Sequence, residues 1–299
     1  MTQRSRIIAK SAAGILLTAS TLVHGQSDAA AGPRSGYAPV DGLKMYYEIH
    51  GTGQPLILIH GGLGSTEMFA GIMPSLAKNH QVITVDLQGH GRTADIDRPM
   101  SFDGLADDIA ALAKYLKIDK ADVMGYSFGG IVALRTAILH PGLVRKLVIV
   151  SAPFKRDGWY PEVLADMAQM GPGTAEQLKL TPMYQLYSRI APKPEDWPRF
   201  LAKLGELSRK EYDWSAEVAA IKAPTLLAFG DADAVRTAHA VQFFELLGGG
   251  LKDGRWDGSG MSNARLAILP GMTHYTILSS PTLVSFVTTF LDSAGTAPK

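Results

Sequence analysis

Short apolar runs alternate with segments of helical spacing along most of this chain. The runs PLILIH (55–60), QVITVD (81–86), ADVMG (121–125), KLVIVS (146–151), PTLLAFG (224–230) and RLAIL (265–269) have the length and composition of buried strands. Amphipathic segments at 66–78, 101–117, 128–140, 237–247 and 282–291 are typical of helices. Together with a short strand at 44–50, this order predicts an α/β fold with a mostly parallel, doubly wound sheet.

The interval between residues 151 and 224 interrupts this alternation, because it is too long for a simple connection. We expect an inserted helical cap at 154–222, between a first core part at 37–153 and a second at 223–292. The cap has ten basic and ten acidic residues, so no charge preference for a ligand is indicated. It is rich in aromatic side chains, which pack the cap or line a pocket: Trp159, Tyr160, Tyr184, Tyr187, Trp197, Phe200, Tyr212 and Trp214.

The N-terminal segment has the pattern of an export signal. Arg4, Arg6 and Lys10 precede an apolar stretch at 12–23, which is too short to span a bilayer comfortably. We expect a signal peptide at 1–25, a disordered leader at 26–36, a short tail at 293–299, and a periplasmic or secreted protein. An uncleaved anchor and a misassigned start codon are the alternatives.

Composition and charge exclude several classes of function. The net charge is +1, and the sequence has no basic stripe. Removal of residues 1–25 would leave 26 basic and 28 acidic residues, a net charge of −2. Nucleic acid and a stable membrane association are therefore not expected as partners. The chain has no cysteine, which excludes disulfides and thiolate catalysis. No dinucleotide or P-loop motif appears, so we expect no cofactor. We also expect no metal, because His60 and His90 lack a third ligand at suitable spacing. The oligomeric state stays open.

The stretch Gly125-Tyr126-Ser127-Phe128-Gly129 follows a predicted strand and begins a predicted helix. This is the context that a nucleophile elbow requires, with glycines where a Cβ would come too close to the turn. Ser127 then needs a base, and His274 lies just past the last predicted strand, where a loop delivers it to the strand ends. The base in turn needs a carboxylate, for which Asp231 and Asp233 at the end of run 224–230 are the candidates.

The stretches LILIHGGLGS, DLQGHGRT, GYSFGG, LLAFGDAD and LPGMTHY together resemble the α/β-hydrolase superfamily over roughly residues 37–292. The resemblance implies the α/β-hydrolase fold with Asp233 as the catalytic acid and Asp231 as a neighbour that caps the loop. It also implies oxyanion donors at the Phe128 and Gly62 amides, with Leu63 in reserve. His60 and His90 are then structural residues of family-like turns.

The expected activity is that of a serine hydrolase with Ser127, His274 and Asp233 as its triad, because relatives with an aspartate nucleophile are excluded by Ser127. The cap composition indicates a small apolar carboxylic ester or lactone as substrate. The predicted substrate-binding residues are Leu63, Tyr126, Trp159, Tyr184 and Tyr187.

Some interpretations stay open at this point. One alternative activity is that of a C–C bond hydrolase, or of a cofactor-free perhydrolase or lyase, on the same triad. Another is a ligand-binding relative without catalysis. The stretch 247–262 either borders the pocket with Trp256 or forms a surface loop.

Overall fold

The computed structural model describes residues 32–293. The predicted signal peptide and most of the predicted leader and tail lie outside the described residues. The leader prediction is wrong for 34–36, because strand β1 (Arg34–Val40) begins there and pairs along its length with β2 (Leu43–His50). The hairpin turn at Asp41 and Gly42 has positive φ at both positions, 43° and 85°, as a two-residue turn requires. Alternating exposure hides this strand from a search for apolar runs.

The sheet of the described chain has eight strands in the order β1-β2-β4-β3-β5-β6-β7-β8. β2 is antiparallel to both β1 and β4, and every other neighbouring pair is parallel. The predicted, mostly parallel sheet is therefore confirmed. The remaining strands are β3 (Gln54–Ile59), β4 (His80–Val85), β5 (Ala121–Tyr126), β6 (Val144–Val150), β7 (Thr225–Ala232) and β8 (Ala264–Thr273).

Helices cover both faces of the sheet, and each predicted helix of the core is present except one. The segment at 66–78 is a 3₁₀ turn (Thr66–Phe69) followed by the short α1, because Gly71 and Pro74 interrupt it. The α-helices are α1 (Met73–Leu76), α2 (Phe102–Tyr115), α3 (Phe128–Leu139), α4 (Pro161–Gln169), α5 (Ala175–Leu178), α6 (Pro182–Ile190), α7 (Trp197–Arg209), α8 (Ser215–Ala219), α9 (Thr237–Leu246) and α10 (Pro281–Asp292).

The hydrophobic core has two layers, one on each side of the sheet. Successive side chains of a strand point alternately into one layer and the other. Ile57 and Ile59 of β3 pack in the layer that holds α2 and α3, whereas Leu56 and Leu58 pack in the layer that holds α10. All four side chains are fully buried. Each such side chain contributes roughly 1.5–3 kcal/mol of hydrophobic stabilisation, so the two layers fix the position of the strand ends.

Helices α4 to α8 lie between β6 and β7 and form the cap, so the predicted insertion is confirmed. Its incoming and outgoing segments pair with each other. The Arg156 amide donates to the Tyr212 carbonyl (3.0 Å), and the Trp214 amide donates to the Phe154 carbonyl (3.2 Å). We call these paired segments, 154–156 and 212–214, the neck of the cap. Within residues 32–293, no helix has the length and apolarity needed to cross a membrane.

Candidate active site

Ser127 lies in the turn between β5 and α3, with φ 54° and ψ −121°. A non-glycine residue in this region is strained, and the strain is held by the surrounding backbone. A Cβ at Gly125 would overlap the Gly129 carbonyl, and one at Gly129 would overlap the carbonyls of Ile59 and His60. The close approach expected from the sequence is thus present. The turn directs the Ser127 side chain to the carboxyl ends of the strands.

The structure brings Ser127, His274 and Asp233 into one hydrogen-bonded chain. The Ser127 Oγ atom lies 2.9 Å from His274 Nε2, and His274 Nδ1 lies 2.9 Å from Asp233 Oδ1. A carboxylate can only accept from Nδ1, so it places the ring proton there and leaves Nε2 free to accept from the serine hydroxyl. Asp231 is exposed at the same strand end. His274 therefore bonds the later of the two acids, in the arrangement that the resemblance implies.

The Asp233 carboxylate is fully buried, and each of its oxygens accepts from two donors. Oδ1 accepts from His274 and from the Val235 amide (3.2 Å), and Oδ2 accepts from the Ser151 hydroxyl and from the Gly230 amide (3.0 Å). Burial alone would raise the pKa of Asp233, but the bonds from His274, Ser151 and Gly230 hold it below its ordinary value. The carboxylate is therefore ionised at neutral pH.

Sequence reasoning missed Ser151, the residue that follows β6. It is buried and has a positive φ of 52°. The available signal was a polar residue at the end of an apolar run, KLVIVS, at the same edge of the sheet as the elbow. Strand ends at this edge are where functional side chains collect in parallel sheets.

Two aromatic residues hold the His274 ring in place. The Tyr126 ring lies 5.3 Å from it, and the Trp159 ring lies 5.5 Å from it in an edge-on arrangement. The Tyr126 hydroxyl also donates to the His274 carbonyl at 2.7 Å. Both residues were predicted to bind substrate, and both line the cavity described below. They also fix the orientation of the imidazole.

The predicted oxyanion donors, the Gly62 and Phe128 amides, lie in adjacent turns. A Cβ added at Gly62 would lie 3.6 Å from the Phe128 Cβ, so the two turns are close neighbours. Neither amide donates a hydrogen bond to another residue within the described part of the chain. Both residues line the cavity beside Ser127, as does Leu63. Two free amides beside the serine hydroxyl form the arrangement that can bind a developing negative charge.

Two buried histidines support these turns from behind. His60 Nδ1 donates to the Gly61 carbonyl (2.8 Å), and His60 Nε2 accepts from the Leu87 amide (3.2 Å). Burial lowers the pKa of His60 to about 4, so this side chain is neutral. His90 Nδ1 bonds the Gln88 carbonyl at 2.9 Å. Asp86 accepts the Thr66 and Arg92 amides, both at 2.7 Å, and so braces the neighbouring loops.

A cavity of about 660 Å³ extends from Ser127 and His274 under the cap. Its wall is largely apolar and includes three methionines of the cap, Met167, Met170 and Met183. Sequence reasoning missed other lining residues, which carry no local pattern that distinguishes a lining position: Phe102, Ile131, Leu204 and Leu207. Tyr212, one of the cap aromatics named from the sequence, also lines the cavity. The volume is that of a site for a small organic ligand.

Tyr184 and Tyr187 were predicted to bind substrate, and the structure places them elsewhere. Their rings lie 5.3 Å and 4.9 Å from the ring of Trp197, in the interior of the cap. Neither lines the cavity. They lie three residues apart on α6 and share the face that packs against α7. Trp256 is fully exposed and also does not line the cavity, so 247–262 is a surface loop.

Comparison with known proteins agrees with this geometry. A family model for the alpha/beta hydrolase fold matches residues 54–289. This chain belongs to the α/β-hydrolase family. The hydrolase is 30% identical over 234 residues to "Putative carbamate hydrolase RutD" of Azorhizobium caulinodans, a match that covers 73% of this chain and 87% of that protein.

Further relatives lie within the same family. Over 112 residues, this α/β-hydrolase is 45% identical to pimeloyl-acyl-carrier-protein methyl ester esterase of Neisseria meningitidis, which covers 36% of this chain and 41% of that protein. The crystal structure of a bacterial membrane phospholipase A superposes with a TM-score of 0.70 at 20% identity, covering 87% of this chain and 86% of that one. At that identity the likeness concerns the fold alone.

Proposed function

We propose that this α/β-hydrolase is a serine hydrolase that cleaves a carboxylic ester or a lactone through an acyl-enzyme. The supporting observation is the chain of hydrogen bonds from Ser127 through His274 to Asp233, with both contacts at 2.9 Å, at the wall of an apolar cavity. The membership of the family and the esterase named among the relatives support a hydrolase.

In the proposed first step, Ser127 Oγ attacks the substrate carbonyl and His274 Nε2 accepts the hydroxyl proton. The protonated imidazole is then stabilised by the buried Asp233 carboxylate, which stays ionised. His274 returns the proton to the departing alkoxide, and Ser127 is left acylated. In the second step, His274 takes a proton from water, which attacks the acyl carbonyl. The bond from the acyl carbon to Ser127 Oγ then breaks, His274 returns the proton to Oγ, and the acid is released.

The tetrahedral intermediates of both steps carry a negative oxygen. We assign the Gly62 and Phe128 amides as its donors, because both are adjacent to Ser127 and free of other partners in residues 32–293. Phe128 is also the first residue of α3, so the positive end of that helix faces the oxygen. Loss of one oxyanion donor typically costs about 10²–10³ in rate.

The cavity favours an uncharged substrate of modest size. Its wall is mostly hydrocarbon and sulfur, and the methionines adapt to ligands of irregular shape. An ester or lactone is uncharged, so it places no charge in the apolar cavity until the oxyanion forms. The same triad serves C–C bond hydrolysis, and turnover of esters against turnover of β-diketones separates the two reactions.

The test is hydrolysis of p-nitrophenyl esters from acetate to octanoate by the wild-type protein and by Ser127→Ala. We expect turnover that rises with chain length until the cavity is filled and that disappears in Ser127→Ala. Ser188→Ala, which removes an exposed hydroxyl on α6, is the matched control and should retain full activity. Unchanged turnover in Ser127→Ala would refute the mechanism. A folded wild-type protein that cleaves β-diketones and no ester would have the alternative activity.

We also propose that the protein is exported, from the residue pattern of 1–25, which lies outside the described residues. N-terminal sequencing of the chain recovered from the periplasm or medium tests this. A chain found in the cytoplasm with residues 1–25 intact would contradict it.

A further inference from the structure

Three aromatic rings lie beside the His274 ring, and one of them is exposed. The ring centres of Tyr126, Trp159 and Tyr275 lie 5.3, 5.5 and 5.3 Å from that of His274. Tyr126 and Trp159 are buried, whereas Tyr275 is 82% exposed. All three residues line the cavity. The cavity of Ser127 therefore reaches the protein surface at Tyr275, beside the proposed catalytic base.

A tight turn fixes the backbone of Tyr275 relative to His274. The Thr276 amide donates to the Thr273 carbonyl at 3.3 Å, so His274 and Tyr275 are the two central residues of a four-residue turn. The Thr273 amide also donates to the Thr276 hydroxyl at 3.0 Å. The Tyr275 ring is thus attached at a defined place beside the base, although most of its surface faces solvent.

Single exposed aromatic side chains are ordinary on protein surfaces, so the position of this one decides its meaning. Among the large, exposed apolar side chains of residues 32–293, those of Met183 and Tyr275 line the cavity. Tyr275 is the more exposed of the two. A bound apolar group that covers its ring removes apolar surface from water, which is favourable.

The chemistry of an acyl-enzyme requires an open side next to His274. The imidazole gives its proton to the leaving alkoxide, so the alcohol oxygen lies within hydrogen-bond distance of Nε2 in that step. The alcohol then departs while the acyl group is still attached to Ser127, so it cannot pass through space that the acyl chain occupies. The exposed surface of Tyr275 meets this requirement, whereas the buried surfaces of Tyr126 and Trp159 do not.

We propose that the alcohol part of the substrate carries an aromatic ring, which packs against Tyr275 at the mouth of the cavity while the acyl chain lies under the cap. Tyr275 is then a specificity-determining residue for the leaving group. Aromatic rings attract each other beyond the effect of buried area, because the face and the edge of a ring carry opposite partial charges. The assignment rests on the esterase activity proposed above, and it applies to an open-chain ester, since the alcohol of a lactone stays joined to the acyl group.

The experiment compares benzyl butanoate with cyclohexylmethyl butanoate, two esters whose alcohols carry rings of similar size. Both form the same butanoyl-enzyme, so a difference in kcat/KM belongs to the steps in which the alcohol is present. We expect kcat/KM to be about fivefold higher for the benzyl ester, the effect of one aromatic pair. In Tyr275→Ala this ratio should fall to about one, whereas a ratio that came from the chemistry of the alcohols alone would persist.

Two further variants are the controls. Tyr275→Phe retains the ring and should keep the fivefold ratio. Tyr115→Ala removes an exposed ring of α2 that does not line the cavity, and it should keep the ratio as well. The proposal is overturned if the wild type hydrolyses both esters with equal kcat/KM, or if Tyr275→Ala changes both values alike.

Binding separates failure of this proposal from failure of the esterase activity. Ser127→Ala should bind the benzyl ester about fivefold more tightly than the cyclohexylmethyl ester in calorimetry, and Ser127→Ala with Tyr275→Ala should bind both equally. Equal binding of the two esters by Ser127→Ala would overturn the aromatic subsite. Selective binding by Ser127→Ala without turnover by the wild type would instead retain the subsite and refute the esterase.

Discussion

Ser151→Ala tests how far the buried hydroxyl behind the triad supports Asp233. The substitution removes the hydrogen bond from Ser151 Oγ to Asp233 Oδ2 and leaves the Gly230 amide as the partner of that oxygen. A hydrogen bond to a charged group is worth about 2 kcal/mol. For a domain of this size, that loss lowers Tm by about 4 °C. We expect kcat to fall by roughly tenfold as well, because the carboxylate that orients His274 is less firmly held.

The pH dependence of this loss follows from the direction of the pKa. The pKa of Asp233 in the folded protein lies below the ordinary value of 3.8, so its interactions stabilise the fold above that value. This stabilisation disappears as the pH falls through the folded pKa. The difference in Tm between wild type and Ser151→Ala should therefore be full at pH 7 and shrink below about pH 4.

The assay is thermal unfolding followed by circular dichroism across this pH range, with ester hydrolysis measured in parallel at pH 7. Ser151→Gly is the control, because it lacks the same hydroxyl but relieves the positive φ of 52° at this position. It should be as slow as Ser151→Ala and more stable by about 1 kcal/mol. Full activity in both variants, or a difference in Tm that does not depend on pH, would show that the hydroxyl does not support Asp233.

Two further substitutions test the framework of the site. Gly129→Ala forces a methyl group against the carbonyls of Ile59 and His60, so we expect little soluble protein. Gly62→Ala has room for its methyl group and should fold. The yield of soluble protein and its circular dichroism spectrum test both expectations. Lys146→Met removes the buried ammonium that caps the carbonyls of Phe290 (2.8 Å), Leu291 (3.0 Å) and Ser293 (2.6 Å) at the end of α10. Urea unfolding should show that the free energy of unfolding falls by about 3 kcal/mol, while kcat stays unchanged. A change in kcat without a loss of stability would contradict a purely structural role.

The parts of the fold that the sequence predicted are those in which local pattern and tertiary environment agree. Buried parallel strands are continuous apolar runs, so β3 to β8 were recognisable. β1 was missed because one of its faces is exposed and its sequence, RSGYAPV, contains a glycine and a proline. The helix expected at 66–78 is broken because the local effects of Gly71 and Pro74 outweigh the apolar spacing.

The candidate site also has residues that the sequence predicted and residues that it did not. Ser127 and His274 stand at strand ends in motifs whose chemistry is explicit, so their proximity could be predicted. Whether an aromatic residue of the cap faces the cavity depends on how the cap helices pack. Tyr187 and Tyr212 are both aromatic residues of the cap, yet one lies in the cap interior and the other in the cavity wall. Local sequence does not encode that difference.

The paired neck has a consequence for how this enzyme can change. The cap leaves the sheet after β6 and returns at β7, two neighbouring strands in parallel register, and its two ends are bonded to each other. The chain therefore enters and leaves the cap at one place in the core. Ser127, His274 and Asp233 all lie outside the cap. The cap is thus a separable insertion, and a different one fitted to the same two ends would alter the choice of substrate while keeping these three residues and the hydrogen bonds between them.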